Sequence, residues 1–316
     1  MGSFLICLLL YAGQPRSDTL RLMFWNLENF FDWRADSTAA PGSSDLAFSS
    51  RGERHWTRKR FYTKCNAIAK GVLWAGSAYG GLPDIIGFCE VENAFVLRRL
   101  VQSTVLRKLD YGIVHYESPD RRGIDVALLY RRGRLKLLSS RPCHLYGADS
   151  SVLTTRDILL AHFLGPGGDV AVLVNHHPSK FGGAAASQSR RELAARRLRD
   201  VSDSLYRAGH RLIVAMGDFN DTPDNPAFGG LDGRFQNLGL PLHLRGEGSI
   251  KYDGKWELID LFFLAGAQGT QQLVRIPFLM QRDGTHGGSK PWRTYSGPRY
   301  AGGISDHCPV WLDLPL

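Results

Sequence analysis

Polar residues of the kinds that bind metal ions and carry protons end or follow apolar runs at six places along the chain. Asn, Asp, Glu and His are poor strand residues and are costly to bury without partners. One such residue at a strand end indicates a turn, whereas six clusters spread along the chain indicate strand ends that meet at one site. These residue types predict a site that binds a hard cation and contains a histidine. The clusters are Trp25-Asn26-Leu27-Glu28-Asn29, Cys89-Glu90-Val91-Glu92-Asn93, Asn175-His176-His177-Pro178, Gly217-Asp218-Phe219-Asn220, Ile259-Asp260 and Ser305-Asp306-His307.

Two of the clusters suit a magnesium ion and a phosphate. Glu90 follows the apolar run of residues 83–89, which predicts a carboxylate beside a groove at a strand end. Mg²⁺ keeps most of its waters and takes one or two carboxylates plus phosphate oxygens, so one well-placed Glu suffices. Asp218 and Asn220 flank Phe219, which places both polar side chains on one face, where they could orient a water and hold a phosphate oxygen. The alternative for Glu90 is a solvated side chain at a strand end. The alternative for Asp218 and Asn220 is an Asx-turn.

The remaining clusters suit proton transfer. Asp260 lies inside an apolar run, and a buried Asp needs a partner. His307 is a suitable one, because a carboxylate on one ring nitrogen fixes the tautomer and raises the basicity of the ring. His176 could protonate a leaving group or bind a phosphate oxygen. His177 could do the same, but one of the pair could be simply exposed to solvent, and we expect His177 to be that bystander.

Apolar runs typical of strands alternate with a few helical patterns. Helical spacing covers residues 61–72, a second helix opens with the capping box of residues 189–192, and a third spans residues 93–108. Strands outnumber helices and several are joined by loops of hairpin length, which predicts packed sheets with helices outside. The predicted strands are residues 20–25, 84–89, 124–130, 158–163, 170–174, 212–216, 258–264 and 309–314.

Length and charge limit the class of protein. The 316 residues could form one or two domains, but the clusters lie on both sides of any midpoint, so we predict one domain over residues 18–316. The apolar fraction of 43% with 22% charged residues is typical of a soluble globular protein. The net charge of +9 suits nucleic acid, a phosphoinositide or an anionic membrane surface. A merely basic soluble protein is the alternative.

The first residues predict export. Residues 4–12 are apolar but too few to span a bilayer, and small residues follow, as in a signal peptide. No basic residue precedes them, so a truncated start or a buried N-terminal segment is the alternative. We expect a signal peptide at residues 1–17 and a periplasmic or secreted protein, with a cytoplasmic one as the alternative. The cysteines have no short paired spacing, which argues against a zinc site or a disulfide framework and leaves the disulfide state open.

In this order, the clusters resemble the motifs of the endonuclease/exonuclease/phosphatase (deoxyribonuclease I-like) superfamily, from residue 20 to residue 314. Glu90, Gly217-Asp218-Phe219-Asn220 and Ser305-Asp306-His307 are specific in combination. The resemblance implies an α/β fold, a four-layer α/β sandwich in which two mainly antiparallel sheets pack face to face with helices outside. It also implies a metal-dependent phosphoric ester hydrolase that uses Mg²⁺, or Mn²⁺ in its place.

The resemblance further implies a role for each matching position. The residues implied to bind the metal are Asn26, Glu28, Glu90 and Asp306. Those implied to handle the water, the phosphate and the proton are His176, Asp218, Asn220, Asp260 and His307. In the second group Asp260 orients His307, while Asp218 and Asn220 position the water and the phosphate. The identity of the general base stays open between Asp218 and His307.

Two loops could carry substrate specificity. Residues 117–123 contain Arg122, and residues 290–295 contain Arg293 and Tyr295. Basic and aromatic residues together suit a phosphate-bearing substrate with a planar group to stack on. With Asn26, these three residues are the predicted substrate contacts, and ordinary solvated turns are the alternative.

The predicted function is a Mg²⁺-dependent, nuclease-like phosphodiesterase in which an activated water attacks in line, with nucleic acid as the favoured substrate. The second candidate is a phosphatase or sphingomyelinase-like esterase acting on sugar, inositol or lipid phosphates. No extended apolar insertion indicates stable membrane insertion, and we expect a monomer. The third candidate, a non-catalytic binding module, would have lost an essential group, yet every expected position is filled.

Overall fold

The computed structural model describes residues 19–34, 44–180 and 183–316, so the predicted signal peptide at residues 1–17 lies outside the described residues. The α-helices are α1 (Arg58–Ala78), α2 (Ala94–Gln102), α3 (Ala184–Arg207) and α4 (Leu240–Leu244). The strands are β1 (Thr19–Phe30), β2 (Ile85–Val91), β3 (Tyr111–His115), β4 (Asp125–Arg131), β5 (Lys136–Cys143), β6 (Ile158–Gly165), β7 (Gly168–His176), β8 (Leu212–Asp218), β9 (Gln236–Asn237), β10 (Ile250–Tyr252), β11 (Lys255–Glu257), β12 (Asp260–Ala265), β13 (Thr270–Leu273), β14 (Met280–Arg282), β15 (Ser289–Pro291), β16 (Tyr295–Ser296), β17 (Arg299–Tyr300) and β18 (Val310–Pro315).

Two six-stranded sheets form the centre of the molecule. The first has the order β13-β18-β1-β2-β4-β3, and the second has the order β5-β6-β7-β8-β12-β9. Each contains one parallel pair, β1 with β2 and β7 with β8, among otherwise antiparallel neighbours. Because parallel strands end at the same edge of a sheet, the polar residues that follow each pair are brought together.

The apolar runs form strands because both faces of each sheet are covered. Along β1, Leu22 and Phe24 face the core between the sheets, while Met23 and Trp25 face the core under the helices. A strand buried on both faces needs a continuous apolar run, as this segment has.

Helices cover the outer face of each sheet. On the first sheet, α1 and α2 pack through Phe61, Ile68 and Leu97. On the second sheet, α3 packs through Leu198 and Val201. The layers are therefore helix, sheet, sheet and helix, which confirms the predicted four-layer α/β sandwich.

Two helix boundaries differ from the sequence prediction. Helix α3 begins at Ala184 after Gly183, so the capping box predicted at residues 189–192 lies inside the helix. Its residues Ser189 and Glu192 are exposed there and do not cap a helix end. The helix predicted over residues 93–108 is split into α2 and a 3-10 helix at Val105–Lys108. The sequence prediction also did not include strands β3 and β5.

The described residues include four α-helices and four cysteines. None of their helices is both long and apolar enough to cross a membrane. Their four cysteines are buried and free.

Candidate active site

The ends of the parallel strand pairs meet at one edge of the sandwich. Asn26, in β1, donates from Nδ2 to Asp218 Oδ2 at 3.0 Å, which joins the first sheet to the second. His176, at the end of β7, and Asp260, at the start of β12, are the register neighbours of Asp218 on its two sides. His307 follows on the loop before β18, where its carbonyl accepts from Trp25 Nε1 at 3.0 Å.

The backbone leaves strand geometry at this edge. Glu28, Asn29, Glu90 and Asn220 have φ of 46°, 52°, 58° and 52°, a region that side-chain-bearing residues adopt at a cost. In β1 and β2 these conformations accompany an irregularity in the strand register between Asn26 and Phe30, where Asn29 N–H donates to Glu90 Oε2 at 2.8 Å. Conformational strain is therefore concentrated where the polar side chains meet.

Carboxylates accumulate on one side of the site. Glu28 Oε2 accepts from Thr294 N–H at 2.7 Å, and its Oε1 lies 3.5 Å from Arg293 Nε. The same Arg293 holds Asp306 Oδ2 at 2.8 Å through Nη2. Partial burial opposes the charge of Arg293, but Asp306, Glu28 and Glu90 together raise its pKa above the ordinary value. Three carboxylates thus act on one guanidinium.

A buried lysine partly balances these carboxylates. Lys64 of α1 is 1% exposed, and its Nζ donates to Glu28 O at 2.7 Å and to Thr294 Oγ1 at 2.9 Å. Burial lowers the pKa of Lys64 to about 8, against the opposing pull of Glu28, Glu90 and Asp306. Burial and the Asp306 carboxylate raise the pKa of Glu28 to about 7.

The oxygen atoms at this corner are of the kind that a hard divalent cation takes as ligands. Glu90, Glu28 and Asp306 supply carboxylate oxygens, and the Asp306 side chain is 31% exposed, so water can complete a coordination shell. Asn26 Oδ1 accepts from Glu28 N–H at 2.8 Å, which leaves one of its lone pairs. Glu90 Oε1 lies 4.0 Å from the nearest nitrogens of Arg122 and His176, beyond hydrogen-bond distance.

A second corner contains the groups suited to proton transfer. His307 Nδ1–H donates to Asp260 Oδ2 at 2.7 Å, and His307 Nε2 lies 3.9 Å from Asp218 Oδ2. Burial lowers the pKa of His307, but Asp260, Asp218 and Asp306 outweigh it and hold the pKa well above its ordinary value. Burial raises the pKa of Asp218 to about 7, and the charge of His307 opposes that rise.

The two neighbouring histidines have different surroundings. His176 Nε2 lies 3.8 Å from Asp218 Oδ2 and 4.0 Å from Glu90 Oε1, so this ring stands between the two corners. Burial, with Arg156 and Arg122 nearby, lowers the pKa of His176 well below its ordinary value. His177 is also buried, which contradicts exposure as its alternative, and its ring packs edge-on against Phe219.

Asn220 lies beside these histidines in a tight turn. Its N–H donates to Asp218 Oδ1 at 2.9 Å, and its Nδ2 donates to the His177 carbonyl at 3.0 Å. One amide hydrogen of Nδ2 remains for another acceptor. Asn220 therefore fixes Asp218 and keeps a donor.

The predicted specificity residues lie in different places. Arg122 and Arg293 are half-exposed beside the carboxylates, with 41% and 52% of their side chains accessible. Tyr295 is not at the cleft, which contradicts its predicted role as a stacking surface. Its side chain is buried and its hydroxyl donates to Arg54 O at 2.8 Å, because the β16–β17 hairpin turns the ring toward Phe48.

Three buried cations among the described residues, Lys64, Arg156 and Arg191, were not predicted from the sequence, and the first two contact residues of this site. Lys64 falls on the apolar face of α1, between Phe61 and Cys65, and a Lys at a core position is the signal that could have identified it. The Nη2 of Arg156 donates to the His177 carbonyl at 2.7 Å. Arg156 comes after the polar residues Thr154 and Thr155, and no apolar pattern around it indicates that it is buried.

Comparisons with known proteins agree with this geometry. A family model described as the Endonuclease/Exonuclease/phosphatase family matches residues 21–315. Curated proteins give no match to the chain.

Solved structures of the same fold are similar over nearly the whole chain. An endonuclease/exonuclease/phosphatase family protein from Bacteroides thetaiotaomicron has a TM-score of 0.59 at 15% identity, covering 94% of this chain and 97% of that one. The human Nocturnin catalytic domain with bound sulfate anion has a TM-score of 0.56 at 16% identity, covering 95% and 96%. D. rerio TDP2 complexed with single strand DNA product has a TM-score of 0.55 at 15% identity, covering 94% and 99%. The chain therefore belongs to the endonuclease/exonuclease/phosphatase family and is a metal-dependent phosphoric ester hydrolase.

Proposed function

We propose that this protein is a Mg²⁺-dependent phosphodiesterase that cleaves nucleic acid. The observation that supports this most directly is the pairing of two corners at one sheet edge. The carboxylates of Glu90, Glu28 and Asp306 surround Arg293 on one side, and the Asp260–His307 pair lies on the other with Nε2 3.9 Å from Asp218 Oδ2. A phosphate between them would meet a cation, a proton acceptor and hydrogen-bond donors together.

The metal corner would be formed by Glu90 and Asp306, with Glu28 and Asn26 beside them. A bound Mg²⁺ would neutralise charge on the phosphoryl oxygens and on the leaving oxygen. Arg293 contacts the carboxylates of Glu28 and Asp306, and Lys64 holds the backbone carbonyl of Glu28, so both cations keep this corner in place when the charge of the metal is absent.

Asp218 is the group that we assign to the attacking water. Its Oδ2 faces both His176 and His307 at 3.8 Å and 3.9 Å, so a water held there would touch a carboxylate and an imidazole at once. Asp260 accepts from His307 Nδ1–H, which leaves His307 Nε2 facing Asp218. His176 and the free hydrogen of Asn220 Nδ2 would hold the phosphoryl oxygens, and each such donor contributes roughly 3 kcal/mol in comparable sites.

Nucleic acid is the substrate that the charge distribution favours. The chain has a net charge of +9, and Arg122 and Arg293 lie half-exposed beside the carboxylates. Phosphate contacts of this kind dominate the affinity of proteins for nucleic acid. A structural neighbour of the same fold was solved with a single strand DNA product.

The test is a substrate panel with matched variants. Purified protein is incubated with plasmid DNA, RNA, bis-p-nitrophenyl phosphate and p-nitrophenyl phosphate, in Mg²⁺, Mn²⁺ or EDTA. We expect Mg²⁺-dependent cleavage of nucleic acid and of the diester, lost in Glu90→Gln and in His307→Gln. The exposed Glu53→Gln serves as the carboxylate control and should retain activity.

Turnover of the monoester without cleavage of nucleic acid would instead support the phosphatase. Activity that survives both site variants would contradict the site assignment.

A further inference from the structure

A second cationic region lies next to the candidate active site. A cavity of about 670 Å³ opens between the loop of residues 117–123, the segment before β6 and the start of α3. Among the residues that the structure describes, four arginines line it and Asp120 is the one acidic residue in its wall. We call it the arginine cavity, after Arg121, Arg122, Arg156 and Arg190.

Arg156 forms the buried base of the arginine cavity. Its side chain is 7% exposed, with Nη1 donating to Asp120 Oδ2 at 3.0 Å and Nη2 donating to the His177 carbonyl at 2.7 Å. Its Nε–H, also buried, has no hydrogen-bond partner. Because an unsatisfied donor on a buried cation is costly, this group indicates a site for an additional acceptor.

The arginine cavity carries a surplus of positive charge. Asp120, the one carboxylate in the described part of its wall, is 6% exposed and is already paired with Arg156. Arg121 and Arg190 are exposed at its rim. Hydroxyl groups of Thr154, Thr155 and Ser179 complete a polar wall. Leu153 and Pro178 add an apolar part to the wall, so the lining suits an anion with several oxygens attached to an apolar group.

The arginine cavity is coupled to the active site through shared atoms. The His177 carbonyl accepts from Arg156 on the cavity side and from Asn220 Nδ2 on the site side. Arg122 lines the cavity, and its Nη2 lies 4.0 Å from Glu90 Oε1. A phosphate at the candidate active site would therefore have the arginine cavity as its immediate neighbour.

We propose that the arginine cavity binds a second phosphate group of the same substrate molecule. This inference rests on the proposed function and narrows its substrate to molecules that carry at least two phosphates, such as consecutive phosphates of a nucleic acid strand. The cavity volume is within the range that holds a nucleotide-sized group, so it exceeds the need of one phosphate. A small molecule with two phosphates shares this chemistry, and the experiment separates the two sources.

The experiment compares substrates that differ by one phosphate. Thymidylyl-thymidine has one phosphate, its 5′-phosphorylated form has two, and longer thymidine oligomers have more. For Arg121→Ala and Arg190→Ala, we measure how far kcat/KM for the two-phosphate substrate exceeds that for the one-phosphate substrate. Arg196→Ala, an exposed arginine on the same helix as Arg190 and not among the residues that line the cavity, is the matched control.

We expect each cavity variant to reduce the two-phosphate preference roughly tenfold, mainly through KM, and the Arg196 control to leave it unchanged. A nucleoside 3′,5′-bisphosphate that is cleaved with the same arginine dependence would support the cavity and assign it to a small molecule. An equal preference in wild type and cavity variants would overturn the proposal.

A binding measurement keeps this test separate from catalysis. Fluorescence anisotropy of a labelled eight-residue thymidine oligomer in EDTA should show weaker binding to Arg190→Ala than to Arg196→Ala. If the wild type cleaves no phosphoester but the oligomer still binds Arg190→Ala more weakly than Arg196→Ala, the proposed function fails and phosphate binding by the arginine cavity is supported. If cleavage occurs but both variants bind equally, the cavity proposal fails alone.

Discussion

Single buried residues determine what this site can do, and Asp260 is the most constrained of them. It is fully buried, with Oδ2 accepting from His307 and Oδ1 lacking a hydrogen-bond partner. A buried carboxylate is stable only when it is paired. Asp260 therefore holds the Nδ1 proton of His307 and directs Nε2 at Asp218, and because the pKa of the ring is raised, Nε2 also carries a proton at neutral pH.

Replacing Asp260 by Asn should remove the charged acceptor of the His307 Nδ1 proton while keeping the shape of the side chain. An amide can donate to Nδ1, which would place the ring proton on Nε2, so we expect kcat to fall by roughly 10²- to 10⁴-fold. Steady-state hydrolysis of bis-p-nitrophenyl phosphate at several Mg²⁺ concentrations measures this. The half-saturating Mg²⁺ concentration should not change, because Asp260 lies on the opposite corner from Glu90. Near-normal kcat in Asp260→Asn would contradict the assigned role of this pair.

His177 contributes a pH dependence of stability. Burial, with Arg156 and Arg191 nearby, lowers the pKa of His177 to about 3. In the unfolded chain an ordinary His binds a proton below about pH 6.5. The unfolded state therefore gains protons first as pH falls, so the free energy of unfolding is highest above pH 6.5 and decreases towards pH 3.

The change from pH 7 to pH 4.5 should cost about 2–3 kcal/mol through His177 alone. His177→Phe, which preserves the packing on Phe219, should remove that part of the pH dependence. Urea unfolding at the two pH values measures it, with the exposed His55→Gln as control. An unchanged difference in His177→Phe would show that the ring is not the source.

At the scale of elements, the parallel pair β7–β8 positions His176 beside Asp218. The two strands approach closely because position 217 has no side chain. A Cβ on Gly217 would lie 2.4 Å from the Asn175 carbonyl oxygen, which is backbone and cannot move alone. The site geometry therefore depends on this glycine, although it takes no part in the chemistry.

Gly217→Ala should separate the two strands at the site. Overpacking of this kind typically costs 1–3 kcal/mol, which corresponds to a fall of several degrees in Tm for a protein of this size. We also expect at least a tenfold loss of kcat, because His176 and Asp218 lie on the two displaced strands. Differential scanning calorimetry and diester hydrolysis measure the two effects. Gly229→Ala, where the new Cβ would lie 3.9 Å from Asp232 Oδ2, is the control and should change neither.

The sequence predicted these elements well where burial on both faces requires apolar runs. The eight predicted strands all exist, since period and composition identify them without tertiary information. The prediction that α3 starts at residues 189–192 was wrong, because a capping-box sequence is compatible with a helix interior when its side chains face solvent. Lys64 was missed for a similar reason. Its burial depends on the Glu28 carbonyl, which only the folded chain brings to α1.

At the scale of the whole molecule, the site exists only where the two sheets meet. Its residues extend from Asn26 to His307, and Asn26 to Asp218 is a direct bond between the sheets. The order of the motifs predicted this convergence and the layered fold. It could not predict that Tyr295 would turn inward or that Arg156 would be buried, because those outcomes depend on how loops pack.

Net charge leads to a prediction about the whole molecule. With a charge of +9 and the arginine cavity beside the site, binding of a nucleic acid strand should release counterions. The logarithm of kcat/KM for a thymidine oligomer should then fall linearly with the logarithm of KCl concentration, with a slope of roughly −0.7 for each phosphate contacted. Measurements from 50 to 300 mM KCl at fixed Mg²⁺ test this.

The same salt series on bis-p-nitrophenyl phosphate provides the internal comparison. That substrate has one phosphate and cannot span the site and the arginine cavity, so its kcat/KM should depend only weakly on salt. Arg190→Ala should reduce the oligomer slope by roughly one unit or less, because one phosphate contact is removed. Parallel slopes for the oligomer and the small diester would mean that salt acts on the reaction centre itself. In that case the surplus charge would have no role in substrate capture, and nucleic acid would lose its main physical support as the substrate.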